Sequence, residues 1–173
     1  HIQGVEKLGG ATWNVMPDRI EAGTYACCAA AAGGEVLLTS VVPDTLSALL
    51  DVLSRAGVRV ETGPDWVRIA RDPGTRLKAV DIDTQPYPGF PSDLQAQVMG
   101  LVTLASGASI FKENIFENRF MHAPELRRLG ADITVRGSEA VVRGVEHLRG
   151  APVMATDLRA SVSLVIAGLM AEG

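Results

Sequence analysis

The sequence predicts an α/β fold, an inside-out α/β barrel of repeated βαβαββ units with apolar helices at the centre and sheets outside. Three observations predict it. Motifs recur along the chain, strands and helices follow the same order in each recurrence, and the first helix of each recurrence is apolar on almost all sides. The pattern gives two complete units and a third that is truncated at Gly173.

Repetition along the chain is the first of these observations. The octapeptide GVEKLGGA begins at Gly4, and GVEHLRGA begins at Gly144. Each is followed by a Met and then by an Asp that we expect at the start of a helix, and a third Asp between them follows the same plan. These landmarks are Asp18, Asp93 and Asp157, which lie 75 and then 64 residues apart.

Glycine spacing inside the units agrees with the repeat. Gly34 and Gly57 are 23 residues apart, and so are Gly107 and Gly130. A strand-like run follows the first glycine of each pair, and a helix ends at the second, where glycine supplies a left-handed residue. Two more strands then form a hairpin. Each unit is therefore predicted as strand, apolar helix, strand, amphipathic helix, strand, strand.

The two kinds of helix differ in their pattern. The first helix of each unit is rich in Ala and apolar nearly all round, so it must be covered on most sides, and its small side chains allow close packing. This predicts its central position. The second helix of unit one carries one buried stripe of leucines at helical spacing, namely Leu46, Leu49, Leu50 and Leu53.

Composition excludes several classes of function. The chain of 173 residues is 47% hydrophobic, with a net charge of −4 and a pI near 5.4, which argues against a nucleic-acid surface. Its uncharged runs are shorter than the roughly 20 residues of a membrane span. The start at His1 has no Met and no apolar segment, so we expect no signal peptide and an interior stretch of a longer chain. These features favour a cytoplasmic protein.

The cysteines and histidines indicate no metal or redox chemistry. Cys27 and Cys28 are adjacent in an Ala-rich run, without a ligand-like Cys or His spacing. A reactive thiolate needs an electropositive, accessible setting, so both cysteines are interpreted as buried core. His122 and His147 are interpreted as structural or surface residues. No cofactor is expected.

Four segments, in order along nearly the whole chain, resemble one family. They are VMPDRIEAGT, QPYPGFPSDLQAQ, FENRFMHAPELRRLGA and VMATDLRASVSLVIAGL. They resemble the UDP-N-acetylglucosamine 1-carboxyvinyltransferases, the enolpyruvyl transferases of bacterial cell-wall synthesis. The resemblance implies two similar domains, each of three βαβαββ units, with the active site in the cleft between them. Residues 1–17 would then end the first domain, and residues 18–173 would form most of the second.

The resemblance also implies a reaction. The enolpyruvyl group passes from phosphoenolpyruvate to the 3-hydroxyl of UDP-N-acetylglucosamine with release of phosphate, the first committed step of peptidoglycan synthesis. This chemistry needs a base for the hydroxyl, an acid for the enol carbon, and cations for phosphate and carboxylate. The family's proton-donating loop residue, a Lys and a further Arg lie outside this chain. We therefore expect the chain alone to be inactive and poorly stable, and to require the remaining domain of the same polypeptide.

Asp93 and Ile115 are the first two candidate site residues. Capping preferences alone make Asp93 a helix N-cap or a first-turn carboxylate. The resemblance instead implies that Asp93 contacts the sugar 3-hydroxyl and takes its proton. Ile115 matches a position that touches the nucleotide sugar through its backbone or its shape, and plain core packing is the alternative.

The other candidates are Arg119, Asp157 and Arg159. Arg119 precedes a helix whose first turn should hold Pro124; by default it is a solvated charge, whereas the resemblance places it in the cleft, holding substrate. Asp157 and Arg159 are expected in the first turn of the unit-three helix, where an Arg opposes the helix dipole and anion binding gives it a reason. Because Arg159 should favour the ionised form of Asp157 and weaken it as a base, we prefer Asp93 as the base.

Two other functions stay open at this point. The related shikimate-pathway enolpyruvyl transferase has the same architecture, although PYPGFPSDLQAQ and ENRFMHAPELRRLGA favour the cell-wall branch. A non-catalytic paralogue that only binds nucleotide sugar is the second. We also expect Arg119 and Arg159 to lie at the same end of the domain as the starts of the central helices, where free N–H groups attract anions.

Overall fold

The computed structural model describes residues 1–155, 157–158 and 161–173. It contains five α-helices and seven β-strands within these residues. The helices are α1 (Arg19–Ala32), α2 (Ser47–Arg55), α3 (Gln95–Leu101), α4 (Ala123–Arg128) and α5 (Ser161–Gly168). The strands are β1 (Gly34–Thr39), β2 (Arg59–Thr62), β3 (Trp66–Arg71), β4 (Ile82–Asp83), β5 (Ala108–Lys112), β6 (Asp132–Arg136) and β7 (Glu139–Arg143). Short 3₁₀ turns cover Pro43–Leu46, Ser92–Leu94 and Val102–Leu104.

The strands form two sheets with the same plan. In the first, the order is β1-β3-β2 and all pairs are antiparallel. In the second, β5-β7-β6 repeats this order and β4 adds a parallel strand to β5. The registers also coincide, because Arg59 lies opposite Ala70 and Asp132 lies opposite Arg143. Each residue of the first sheet thus corresponds to the residue 73 positions later, as Gly34 corresponds to Gly107.

Three helices lie next to one another at the centre. Helices α1, α3 and α5 are in mutual contact, and every residue of α3 is buried. A Cβ atom added at Gly100 of α3 would lie 2.7 Å from the Ser163 carbonyl oxygen of α5, so glycine permits this close approach. Seven of the fourteen residues of α1 are buried, and its exposed residues are Glu21, Tyr25 and Ala32. The predicted burial of the Ala-rich helix is confirmed.

Local signals in the second helices are confirmed as well. All four leucines of the predicted stripe are buried, and Pro124 lies in the first turn of α4. Gly57 and Gly130 follow α2 and α4 with φ of 96° and 97°, the left-handed conformation that ends a helix.

The predicted opening strand of each unit is largely wrong. Residues 1–17 are exposed along their whole length and form no strand. The second unit has the two-residue β4 and a bridge between Lys78 and Ser106, and the third has a single bridge between Arg149 and Glu172 among its described residues. A strand needs a neighbouring chain segment to accept and donate its backbone hydrogen bonds, and alternation in sequence does not supply that segment.

The Asp landmarks are not equivalent positions, which corrects the predicted 75-residue repeat. Asp18 is the N-cap of α1, and its Oδ1 accepts from the backbone N–H groups of Ile20 at 2.7 Å and Glu21 at 3.2 Å. The N-cap of the matching Ser92–Leu94 turn is Pro91, which lies 73 residues later. Asp93 is therefore a first-turn residue rather than the cap, and its side chain is available for another contact.

Candidate active site

The carboxylate of Asp93 pairs with Arg119. Arg119 Nη2 donates to Asp93 Oδ1 at 2.8 Å, and the two side chains are 21% and 30% exposed for Arg119 and Asp93 respectively. The Arg119 guanidinium also lies over the ring of Phe116, 4.6 Å from its centroid. A partly desolvated guanidinium held by an ion pair and a ring is not a solvated surface charge, so the default interpretation of Arg119 is wrong.

Asp157, just before the start of α5, lies near the Asp93–Arg119 pair. Its carbonyl oxygen accepts from Ser161 N at 2.9 Å, which is the bond that Asp18 makes to Ala22 N at the start of α1. Asp157 lines a small cavity of about 30 Å³ together with Asp93 and Arg119. Two carboxylates and one guanidinium from distant parts of the chain therefore meet at the starts of two central helices.

Arg159 lies outside the described residues. Its predicted place beside Asp157, and the predicted grouping of Arg119 with Arg159, stay predictions. For Arg119 the position is as expected, because it pairs with a residue of the turn that leads into α3.

Ile115 belongs to the loop between β5 and α4, residues 113–122. Its side chain is 37% exposed, so plain core packing does not explain it. It lines an open cavity of about 470 Å³ together with Asn118, Arg119 and Gly137. Its backbone N–H donates to Glu113 Oε1 at 3.0 Å.

Sequence reasoning missed Glu113, a buried carboxylate behind the site. Glu113 is only 4% exposed. Its carboxylate accepts hydrogen bonds from the side chains of Thr84, Ser92 and Gln95 and from a backbone N–H at the start of the loop. A signal was present, because Ser109 and Phe111 of β5 point inward and Glu113 continues their period of two. A charged residue at an inward position of a strand indicates a built contact.

His122, interpreted from the sequence as a structural or surface residue, is buried rather than on the surface. It is 2% exposed, and among the described residues neither ring nitrogen has a hydrogen-bond partner. It lines the small cavity that Asp93, Arg119 and Asp157 share. Burial lowers the pKa of His122 to about 4, against an opposing effect of the Asp157 carboxylate, while Arg119 lowers it further. The imidazole is thus neutral near pH 7.

Cys27 is confirmed as a core residue, whereas Cys28 is only partly buried against the core. Cys27 is fully buried, and burial together with the neighbouring Cys28 raises the pKa of its thiol far above the usual range. Burial also raises the pKa of Cys28. His147 is an exposed partner of Glu172, with Nδ1 2.9 Å from Oε1. Within the described ranges, no group of three or more His, Cys, Asp or Glu side chains is placed to hold a metal ion, and no helix is long and apolar enough to cross a membrane.

Another cavity, of about 510 Å³, lies at the other ends of the central helices. Its arginines are engaged with backbone carbonyls. Arg71 donates to Ala30 and Ala31 at the end of α1, and Arg76 donates to Leu104 and Val145. Cations at helix C-termini neutralise the free carbonyls there. These contacts give both arginines a structural role.

Comparison with known proteins agrees with this fold. A family model described as EPSP synthase (3-phosphoshikimate 1-carboxyvinyltransferase) matches residues 1–173, and the chain belongs to that family. The enolpyruvyl transferase NikO from Streptomyces tendae has a similar structure, with a TM-score of 0.75 and 33% identity over 90% of this chain and 37% of that one. An EPSP synthase from Acinetobacter baumannii shares the mixed α/β fold, with a TM-score of 0.68 at 20% identity over 92% of this chain and 41% of that one.

Sequence relatives are more specific. The chain is 64% identical over 172 residues to the UDP-N-acetylglucosamine 1-carboxyvinyltransferase of Maricaulis maris. The aligned residues are 99% of this chain and 40% of that protein. The chain is 66% identical over 174 residues to the enzyme of that name from Hyphomonas neptunium, covering 99% of the chain and 41% of that protein. The chain thus spans about two fifths of the length of these curated relatives.

Proposed function

We propose that the chain is part of an enzyme that transfers the enolpyruvyl group of phosphoenolpyruvate to the 3-hydroxyl of UDP-N-acetylglucosamine. The reaction releases phosphate and is the first committed step of peptidoglycan synthesis, in the cytoplasm. The observation that carries the proposal is the partly buried Asp93–Arg119 pair, 2.8 Å apart, with Asp157 on the same cavity. Identity of 64–66% to two transferases of that name supports the choice of substrates.

The reaction assigns distinct work to these groups. The hydroxyl oxygen of the sugar bonds to C2 of phosphoenolpyruvate as its O–H bond breaks, and C3 gains a proton from the donor that the rest of the polypeptide would supply. C3 then loses a proton as the C2–O bond to phosphate breaks, which restores the C=C bond and releases phosphate. A carboxylate that accepts the hydroxyl proton makes the oxygen a better nucleophile. A guanidinium beside it stabilises anionic oxygens of the substrates. In this proposal Asp93 is the base, and Arg119 orients Asp93 and faces substrate.

The choice between Asp93 and Asp157 rests on different grounds than the sequence suggested. The sequence favours Asp93 because Arg159 is expected beside Asp157, yet Asp93 has a guanidinium of its own at 2.8 Å. That argument therefore does not separate the two carboxylates. Position supports Asp93 instead, because it lies in the first turn without serving as the cap, whereas the Asp157 carbonyl starts the hydrogen bonding of α5. Ile115, Asp157 and Arg159 are proposed to contact substrate.

The finer architecture is part of the same proposal. We place residues 1–17 at the end of one enolpyruvyl-transferase domain and residues 18–173 in the second, an inside-out α/β barrel whose third unit is truncated here. Contact among α1, α3 and α5, with the first sheet packed against α1, supports this arrangement. The rest of the polypeptide would supply the proton donor and the facing wall of the cleft, so the chain alone would be inactive.

The shikimate-pathway enzyme is the second candidate, because its name describes the matching family model. Identity of 20% to an EPSP synthase, against 64–66% to the cell-wall transferases, supports the first candidate over it.

The full-length protein tests the choice directly. Phosphate release is measured with phosphoenolpyruvate and either UDP-N-acetylglucosamine or shikimate 3-phosphate, and thermal unfolding is followed with each acceptor alone. We expect turnover and stabilisation with the nucleotide sugar. Turnover with shikimate 3-phosphate instead would establish the second candidate. Stabilisation by UDP-N-acetylglucosamine without turnover would identify a non-catalytic binding protein and overturn the proposal.

A further inference from the structure

The two oxygens of the Glu113 carboxylate face different parts of the molecule. Oε1 accepts from the backbone N–H groups of Ile115 at 3.0 Å and Phe116 at 3.1 Å, which open the loop of residues 113–122. Oε2 accepts from the hydroxyl of Ser92 at 2.8 Å, and Ser92 directly precedes Asp93. One buried group therefore joins the loop that carries Arg119 to the turn that carries its partner.

Two further donors fix the carboxylate in the core. Thr84, fully buried, donates from Oγ1 to Oε1 at 3.0 Å and accepts the backbone N–H of Asn114 at 2.9 Å. Gln95, the first residue of α3, directs its Nε2 to Oε2 at 3.4 Å. All of these donors are neutral, and among the described residues Glu113 has no ion-pair partner. Hydrogen bonds to an ionised acceptor are stronger than neutral ones, so this arrangement holds its donors firmly.

The first unit has no equivalent of this carboxylate. The residue 73 positions before Glu113 is Ser40, which follows β1 and directly precedes the short connection to the Pro43–Leu46 turn. A bare structural requirement of the fold would be expected in both units. The carboxylate occurs only in the unit whose loop supplies Arg119 and Ile115.

We propose that Glu113 is a positioning residue for the active site, which holds the Asp93 turn and the Arg119 loop in the geometry of their ion pair. The inference rests on the proposed function for its catalytic consequence. Glu113 is only 4% exposed and its carboxylate is engaged by the loop amides and by Ser92, so we assign it no direct contact with substrate. It acts through Ser92 on one side and through the Ile115 and Phe116 amides on the other.

The test uses Glu113→Gln in the full-length protein, with Glu139→Gln as the matched control. Glutamine keeps one oxygen for the loop amides but presents an NH₂ group to Ser92 and Gln95, both of which donate to Glu113. Glu139 is an exposed carboxylate on the neighbouring strand that pairs with Lys112 at 3.5 Å, so its variant removes an equal charge nearby. We expect Glu113→Gln to lower kcat by roughly 100-fold, as misplacement of about 1 Å can do, and Glu139→Gln to leave it unchanged.

A second variant separates positioning from general loss of stability. Ser92→Ala breaks only the arm toward Asp93 and should lower kcat less than Glu113→Gln does. Combining it with Glu113→Gln should lower kcat no further, because both act through one link. All rates are compared at a temperature at which every variant is fully folded. Equal kcat for Glu113→Gln and Glu139→Gln, or independent effects of Ser92→Ala and Glu113→Gln, would overturn the inference.

Amide hydrogen exchange gives a readout that does not depend on activity. Glu113→Gln should speed exchange at the Ile115 and Phe116 amides, whereas Glu139→Gln should not. If the unmodified protein transfers no enolpyruvyl group, the proposed function fails, and exchange alone decides whether Glu113 holds the loop. Unchanged exchange at both amides would show that it does not.

Discussion

The first two units of the chain share one scaffold and use it differently. Their sheets have the same strand order and register, and both place a glycine 23 residues after the glycine at the start of the strand. In unit one, residues 40–49 contain a 3₁₀ turn and the first three residues of the nine-residue α2. In unit two, residues 113–122 form an irregular loop before the six-residue α4.

The difference lies in which residues occupy matching positions. Leu46 and Leu49 of the buried stripe in unit one correspond to Arg119 and His122 in unit two, whereas Leu53 corresponds to the equally buried Leu126. Replacing two buried leucines by an Arg and a His removes the apolar contacts that hold the first turns of a helix against the core. The loop that results is free to carry groups toward Asp93.

The starts of the two corresponding helices, α1 and α3, also differ in what their Asp side chains contact. In unit one, the Asp18 carboxylate satisfies backbone N–H groups of its own helix. In unit two, Pro91 takes the capping position and Asp93, two residues later, pairs with Arg119. Divergence between repeats therefore marks the site: positions that agree serve the scaffold, and positions that differ serve the proposed chemistry.

The largest expected effect comes from making unit two resemble unit one. Arg119→Leu installs the side chain of Leu46 and removes the guanidinium next to Asp93. Loss of a positioned donor of this kind should lower turnover by roughly 10²–10³-fold in the full-length protein. Arg128→Leu, on the exposed face of α4, is the control and should keep near-normal turnover. Comparable rates for the two variants would break the assignment of Arg119.

The next effect concerns stability and pH at His122. Because its pKa is lowered to about 4 in the folded state, against 6.5 without burial, the unfolded chain binds a proton first as pH falls. Stability should therefore decline between about pH 6.5 and pH 4, by about 3 kcal/mol, since one pKa unit corresponds to about 1.4 kcal/mol. His122→Leu, the side chain of unit one, should remove this decline. Denaturant unfolding of both proteins at pH 7 and pH 4.5 measures the difference, and identical pH dependence would contradict the prediction.

The smallest effect separates the two helix starts. Asp18→Ala should lower the free energy of unfolding by about 0.5–2 kcal/mol, the usual cost of losing an N-cap, without affecting turnover below the unfolding transition. Asp18→Asn should be nearly neutral, because Asn caps about as well. A loss of turnover in Asp18→Asn would place Asp18 in the chemistry and erase the contrast with Asp93.

Parts of this molecule that depend on local physics could be predicted from the sequence. The leucine stripe of α2, the glycines after α2 and α4, Pro124 in the first turn of α4 and the Asp18 cap all follow from side chains within a few residues of one another. The Asp93–Arg119 contact joins residues 26 positions apart and was not predicted, because the family resemblance gave each of the two residues a separate role at the site.

The features that were missed depend on partners far away in sequence. Glu113 is buried because Thr84, Ser92 and Gln95 come to it across 18 to 29 residues. His122 is buried because unit two keeps the position of Leu49, which becomes evident only when the two units are aligned by their strands. The opening strands were overpredicted, because alternation does not reveal whether a pairing partner is present.

Replacement of Asp93 by Asn in the full-length protein tests the central claim most directly. Asn has the same size and keeps an oxygen for Arg119, but it does not accept the hydroxyl proton. Since Asp93 is not the N-cap, the thermal midpoint should stay near that of the unmodified protein. Turnover should fall by roughly 10²–10⁴-fold, the usual contribution of a general base, and by more than in Asp157→Asn. Near-normal turnover of Asp93→Asn, with a large loss in Asp157→Asn, would contradict the account and assign the base to Asp157.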